Sequence, residues 1–231
     1  MRVLGDLVGR DRRSERVAVR VVPRDRAVSY RDFCTTAWKA GHALSHLGVH
    51  GGTRVALAPD PAPQVVETLL GAASLGAAVT FDVDADARVV MGHVDREAEL
   101  DGEGRKVLVY GGAPAAATAT HWEGVVWSEN PVMPPGERSP DDPALIDGER
   151  TWSHRDLVTR AEGVVDAAGL DGGTAVALRA SLADPRAVVA GVLAPLLAGG
   201  TVVLPGAEAA APVAVGDGDV PEARRIALDS V

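Results

Sequence analysis

Three histidines, His42, His46 and His50, recur at intervals of four. That spacing lets imidazoles on one helix face share a metal ion. No carboxylate follows them in a metalloenzyme pattern, and Gly48 ends a helix before His50 can join the face. The residues therefore read as surface histidines. Cys34 is the single cysteine, with His42 eight positions on. At the start of an amphipathic helix it reads as a small half-buried side chain, not a nucleophile. No Gly-x-Ser-x-Gly elbow of a hydrolase is present. Tyr110-Gly111-Gly112-Ala113-Pro114 follows an apolar run that reads as a strand, the place where open parallel sheets bind ligands. Two glycines more often simply make a turn, so the phosphate signal is weak. His121-Trp122 and Val125-Val126-Trp127 stand out in a chain with few aromatics. Indoles need apolar cover and a partner for the N–H, so core or inter-half packing is expected. An exposed tryptophan patch would instead suggest a partner surface. No residue is assigned a catalytic, cofactor-binding or metal-ligating role.

The elements that would carry these residues follow from an internal similarity. Ser29-Tyr30-Arg31-Asp32-Phe33, then Leu47-Gly48-Val49-His50-Gly51-Gly52-Thr53-Arg54-Val55-Ala56-Leu57, then Leu75-Gly76-Ala77-Ala78-Val79 form one copy. Ser153-His154-Arg155-Asp156-Leu157, then Ala168-Gly169-Leu170-Asp171-Gly172-Gly173-Thr174-Ala175-Val176-Ala177-Leu178, then Ala198-Gly199-Gly200-Thr201-Val202 form the other. Ser29 and Ser153 are N-cap candidates, each with an aspartate three positions on, an acidic capping box. Phe33, Ala37, Ala40, Leu44 and Leu47 make a one-sided stripe, as do Leu157, Ala161, Val164 and Ala168. Gly-Gly at 51–52 and 172–173 is expected to end the turn after each helix. A strand follows at Val55–Ala58 or Ala175–Leu178. A second helix, near Gln64–Leu75 or Arg186–Ala198, begins after a proline suited to its first position. These second helices are apolar on most faces and are expected deep between layers. A strand at Ala78–Phe81 or Val202–Leu204 closes each copy, and the long crossover implies a parallel pair. Further strands are expected at Val17–Val21, Val89–Met91, Val107–Tyr110, Ala144–Ile146 and Ile226–Leu228, with Pro205–Pro221 irregular.

The fold class is α/β: two pseudo-repeated parallel-sheet halves packed as one body. The proline-rich stretch Asn130–Pro140 reads as a stiff connector, which divides the chain into residues 1–135 and 136–231. A length of 231 residues with 46% hydrophobic and 24% charged content is globular. No apolar run is long enough for a membrane span. The formal net charge of −9 argues against nucleic acid, because phosphate contacts need a clustered basic face. One cysteine and an N-terminus without a secretory apolar core lead to the expectation of a cytoplasmic protein. The acidic, lysine-poor composition suits a salt-adapted or a GC-rich source.

These motifs, in this order over residues 15–205, resemble the opening of acyl-adenylate-forming (AMP-binding) enzymes. That superfamily includes acyl-CoA synthetases, luciferases and the adenylation domains of peptide synthetases. The resemblance extends through Leu69-Leu70-Gly71-Ala72, Asp141-Asp142-Pro143-Ala144-Leu145-Ile146 and Leu193-Ala194-Pro195-Leu196-Leu197-Ala198-Gly199-Gly200. It implies two related α/β halves. It also implies a Ser/Thr/Gly-rich, lysine-bearing phosphate loop after the Asp-Pro-Ala-Leu-Ile strand. Here that interval is Asp147-Gly148-Glu149-Arg150-Thr151-Trp152, with one glycine, no lysine and two acids. The family's acyl-pocket histidine is replaced by the run Ala180-Ser181-Leu182-Ala183-Asp184. Its adenine, ribose and glutamate motifs and its mobile lysine-bearing C-terminal domain have no match in these residues. The chain is therefore expected to be a non-catalytic, truncated relative that binds a small acyl-like ligand or a protein partner, with no cofactor, nucleic acid or membrane. Two alternatives stand beside it: an acyl-acid ligase component completed by another chain, and a purely structural or homo-oligomeric protein.

Overall fold

The computed structural model describes residues 1–102, 104–136 and 138–231. Glu137, inside the proline-rich connector, lies outside them. After short turns at Leu4–Val8 and Arg10–Arg12, the chain makes strands β1 (Val17–Val21) and β2 (Arg26–Ser29). Helix α1 (Tyr30–His46), β3 (Arg54–Leu57), α2 (Pro63–Ser74) and β4 (Ala78–Thr80) follow. Next come β5 (Val89–His93), the short α3 (Glu97–Leu100), β6 (Lys106–Tyr110), β7 (Thr120–His121) and α4 (Trp122–Ser128). The second run begins with β8 (Pro143–Asp147), β9 (Arg150–Ser153), α5 (His154–Ala168) and β10 (Ala175–Leu178). A helix then runs as α6 (Pro185–Val188), a π-helical turn (Val189–Leu193) and α7 (Ala194–Ala198). Strands β11 (Thr201–Leu204), β12 (Val213–Val215) and β13 (Arg224–Ile226) complete it.

The expected caps form. Ser29 Oγ accepts the Asp32 N–H at 3.1 Å. Ser153 Oγ accepts the Asp156 N–H at 3.1 Å while Asp156 accepts the Ser153 N–H at 3.0 Å, a reciprocal box. The left-handed residues that release these helices are Gly48 (φ 86°), where the helix was expected to end, and Gly169 (φ 59°). Helix α2 is buried along all twelve residues. Its close contact with α1 depends on two glycines, since a Cβ on Gly71 would lie 2.8 Å from Gly41 N and Ala37 O. The π turn before α7 has a local cause. Pro195 has no N–H for Gly191 and its ring crowds that carbonyl, and the widened turn makes room.

Two sheets result, both mostly parallel, each with one antiparallel edge hairpin, instead of purely parallel halves. One has the order β7-β6-β5-β3-β4-β8-β9 and the other β13-β12-β10-β11-β1-β2. The sheets do not divide at residue 135. Hairpin β1–β2 pairs with β11 from the later run, Val19 opposite Val202. Hairpin β8–β9 pairs with β4 from the earlier run, Val79 opposite Leu145. Each run thus completes the other's sheet. Polar contacts repeat the exchange: Tyr30 Oη donates to Gly200 O at 2.8 Å, and the Leu4 N–H donates to His154 Nδ1 at 3.2 Å. Arg12 reaches the terminal carbonyls Leu196 O and Leu197 O of α7, while Arg138 reaches Ser74 O at the end of α2.

Strand alternation sorts the core. Val55 and Leu57 face the main cluster shared by both sheets, whereas Ala56 faces a small outer cluster with Leu100 and Val109. Val176 and Leu178 face the main cluster and Ala177 the opposite side. The segment expected to be irregular, 205–221, contributes β12, and the last strand sits two residues before its expected place. Among the described residues, no helix is long and apolar enough to cross a membrane.

Candidate functional site

In a parallel sheet, ligands gather at the carboxyl ends of strands where the order reverses. In the seven-stranded sheet that point lies between β3 and β5, because the chain leaves β3 toward β4 on one side and returns to β5 on the other. The loop after β3 delivers Asp60, the end of β5 delivers His93 and the end of β6 delivers Tyr110. Together with Arg24 in the β1–β2 turn, Leu204 at the end of β11 and Pro205 just after it, they line a cleft of about 360 Å³. That volume lies within the usual range for small-molecule sites. Tyr110 Oη donates to Asp60 Oδ2 at 2.7 Å. Burial, and then this carboxylate, push the Tyr110 phenol far above its usual range, so it stays a donor. The His93 ring meets Tyr110 edge-on at 5.4 Å and crosses Gly111, whose φ of 84° requires a residue without Cβ.

A second cleft occupies the corresponding place against the other hairpin. It is bordered by the β8–β9 turn, the end of β4 and the start of α6, includes Asp82 and Asp147, and holds only about 110 Å³. Its lining includes the start of the interval 147–152, where the family resemblance implies a phosphate loop. Asp147 pairs with Arg150, so Gly148 (φ 56°) and Glu149 alone close a tight hairpin. A two-residue turn presents no run of inward amides to a polyphosphate, and the neighbouring carboxylates repel one. The nearby guanidiniums are otherwise engaged. Arg150 and Arg160 lie 3.7 and 4.7 Å from the Trp152 ring, and Arg186 is held by Asp184 at 2.6 Å. These residues do not fit ATP phosphates.

The other sequence candidates are dispersed. His42 Nε2 meets Val132 O at 3.1 Å, His46 Nδ1 meets Glu129 at 2.8 Å, and His50 Nδ1 meets Gly51 O at 2.8 Å. No group of three potential metal ligands occurs among the described residues. Cys34 is buried, and desolvation pushes its thiol up to about 11, which leaves no thiolate near neutrality. The Gly111 amide donates to Glu123 at 3.0 Å, and the Ala115 and Ala116 amides both donate to Glu97 at 2.7 Å. The protein's own carboxylates therefore fill this turn. Trp122 is core, its Nε1 donating to Thr68 at 2.9 Å, but Trp127 is 73% exposed, against the expectation that it packs inside.

Asp60, His93 and Arg24 were not singled out from sequence. The signal available for Asp60 was its position directly after a strand, in Pro59-Asp60-Pro61. Nothing local showed that β5 and β6 lie beside that strand on the side away from β4. A larger open groove of about 670 Å³ lies at the opposite ends of β3 and β4. Its arginines are committed to backbone, Arg88 to Leu47 O at 3.2 Å and Arg54 to Asp86 O at 3.3 Å.

Comparison with known proteins agrees with this architecture. The AMP-binding enzyme family model matches residues 9–87. No curated protein sequence matches the chain. Among solved structures, apo MatB from Rhodopseudomonas palustris is similar with a TM-score of 0.76 and 16% identity, over 92% of this chain and 48% of that one. The anthranilate CoA ligase AuaEII, in complex with anthranoyl-AMP, has a TM-score of 0.78 and 18% identity, over 92% and 49%. An acyl-CoA synthetase from Brucella canis has a TM-score of 0.74 and 20% identity, over 87% and 42%. The chain spans about half the length of these structures. It has the α/β fold of their N-terminal subdomains and resembles acyl-CoA synthetases and adenylation domains.

Proposed function

We propose that this chain is a non-adenylating relative of acyl-adenylate-forming enzymes that acts by binding, with the cleft around Asp60 and Tyr110 as its small-ligand site. The observation that carries this reading is the two-residue hairpin at Gly148–Glu149. Where the related enzymes are expected to hold the nucleotide's phosphates, this chain has a closed turn with flanking carboxylates. Loss of one transition-state donor costs about 10²–10³ in rate, so a missing phosphate cradle removes far more. The two runs of hairpin, helix, strand, helix and strand are read as copies of one ancestral unit. The single cysteine suits a reducing cytoplasm.

ATP–pyrophosphate exchange with a panel of small aliphatic and aryl acids tests the reading. The purified chain is expected to give no exchange above the protein-free blank, and robust exchange with any acid would refute it. The ratio of chain lengths favours a second reading, a ligase component whose site is completed by residues outside this chain. Under that reading ATP would shift the amide resonances of residues 147–152, whereas no shift is expected there if the first reading holds.

A further inference from the structure

The geometry points to the cleft at the carboxyl ends of β3, β5 and β6 as a site for a small alkylammonium ion, an apolar stem bearing one protonated amine. This rests on the reading above, that the chain binds a small ligand in that cleft. At the polar side of the cleft is the Asp60 carboxylate. Its one side-chain hydrogen bond comes from the buried Tyr110 hydroxyl at 2.7 Å, and among the described residues no cation pairs with it. A carboxylate accepts at several lone-pair positions, so Asp60 has capacity for a further charged donor. The remaining walls are apolar, with Val21, Pro61, Ala62, Leu204 and Pro205 offering about one short alkyl chain's worth of contact.

The charges around the cleft decide the sign of the ligand. Arg96, which lies near Asp60 and Tyr110, is already paired with Glu99 at 2.9 Å. The carboxylate of Asp95 lies 3.2 Å from His93 Nδ1, and the whole chain carries −9, a field that draws cations. Arg24 is the opposing charge. It lines the cleft from the β1–β2 turn, is exposed, and forms no ion pair among the described residues. An incoming ammonium must compete with this guanidinium for Asp60, so removal of Arg24 strengthens binding of an amine and weakens binding of an acid. That opposite response separates the two ligand classes.

The test is an amide-resonance titration of the full chain with n-butylammonium, n-butanoate and butan-1-ol, three probes with the same stem. Butylammonium is expected to give saturable shifts at Asp60, His93 and Tyr110, at least about tenfold tighter than either other probe, as a charge-assisted hydrogen bond supplies. Arg24→Ala is expected to tighten butylammonium binding, and Asp60→Asn to weaken it by about tenfold or more. A preference for butanoate that Arg24→Ala abolishes would overturn the proposal, and so would equal binding of butan-1-ol. Both outcomes leave the non-adenylating reading standing, because they concern ligand charge and not pyrophosphate exchange. The comparison of probes on the unsubstituted chain and on Arg24→Ala decides the matter even if Asp60→Asn does not fold.

Discussion

Glu67 is a carboxylic acid in the core. It lies on α2, wholly buried, and desolvation raises its carboxyl to about 8; nearby Glu123 raises it and Arg26 partly offsets this. The unfolded chain holds this proton only to about pH 4.5. The folded state therefore binds more protons between these values, and stability declines as pH rises from the lower toward the higher, by up to about tenfold in the folding constant per pH unit. Glu67→Gln is expected to flatten this dependence and to melt higher than the parent at pH 8, as thermal unfolding from pH 5 to 9 reads directly. His154 acts in the opposite direction. Fully buried, with Nδ1 occupied by Leu4 N–H and Nε2 without a partner among the described residues, it has a pKa lowered mainly by desolvation. The unfolded chain takes the proton first, so this contribution is complete above about pH 6.5 and is lost as pH falls. His154→Asn, which can keep an acceptor for Leu4, is expected to reduce the loss of stability between pH 7 and 5 in urea titrations.

Elements were the most legible level of this sequence, for reasons that lie in the local chain. Ser29 and Ser153 announce their helices because a cap needs only three residues. The apolar pairs Val65-Val66 and Leu69-Leu70 announce a buried α2, although they do not reveal that Glu67 and Thr68 between them are buried too. The hairpin partners β2 and β9 were missed, since four-residue edge strands with exposed arginines carry little alternation. Strand β12 was missed because Val213–Val215 is too short to rise above its Gly/Asp-rich surroundings. The close approach of α1 and α2 was hidden too, for Gly41 and Gly71 read as weak helix formers until their facing positions are known. Gly71→Ala is expected to cost about 1–3 kcal/mol in chemical denaturation, because its new Cβ meets backbone atoms that cannot rotate away. The same substitution at Gly163, which has open space, is expected to be neutral or stabilising.

At the scale of the molecule, the exchange of hairpins matters more than either sheet alone. No local signal shows that β1 pairs with β11 or β8 with β4, because partner choice depends on surfaces far apart in the chain. The candidate cleft was invisible for the same reason: its walls come from both runs. Since each sheet is completed by the other run, the two are expected to unfold together. Hydrogen exchange at Val19, Val202, Val79 and Leu145 should report one common opening free energy, and two well-separated values would show independent halves. The exchange also sets a timetable for synthesis. Strand β1 is made early, yet the edge it must join, near Val202, is made more than 180 residues later. At typical elongation rates the nascent chain carries that apolar hairpin without its sheet for on the order of ten seconds or more. A ribosome that stalls between the two runs would display an adhesive edge strand, so the order of translation makes this chain a natural client for chaperones that shield strands until their partners are made.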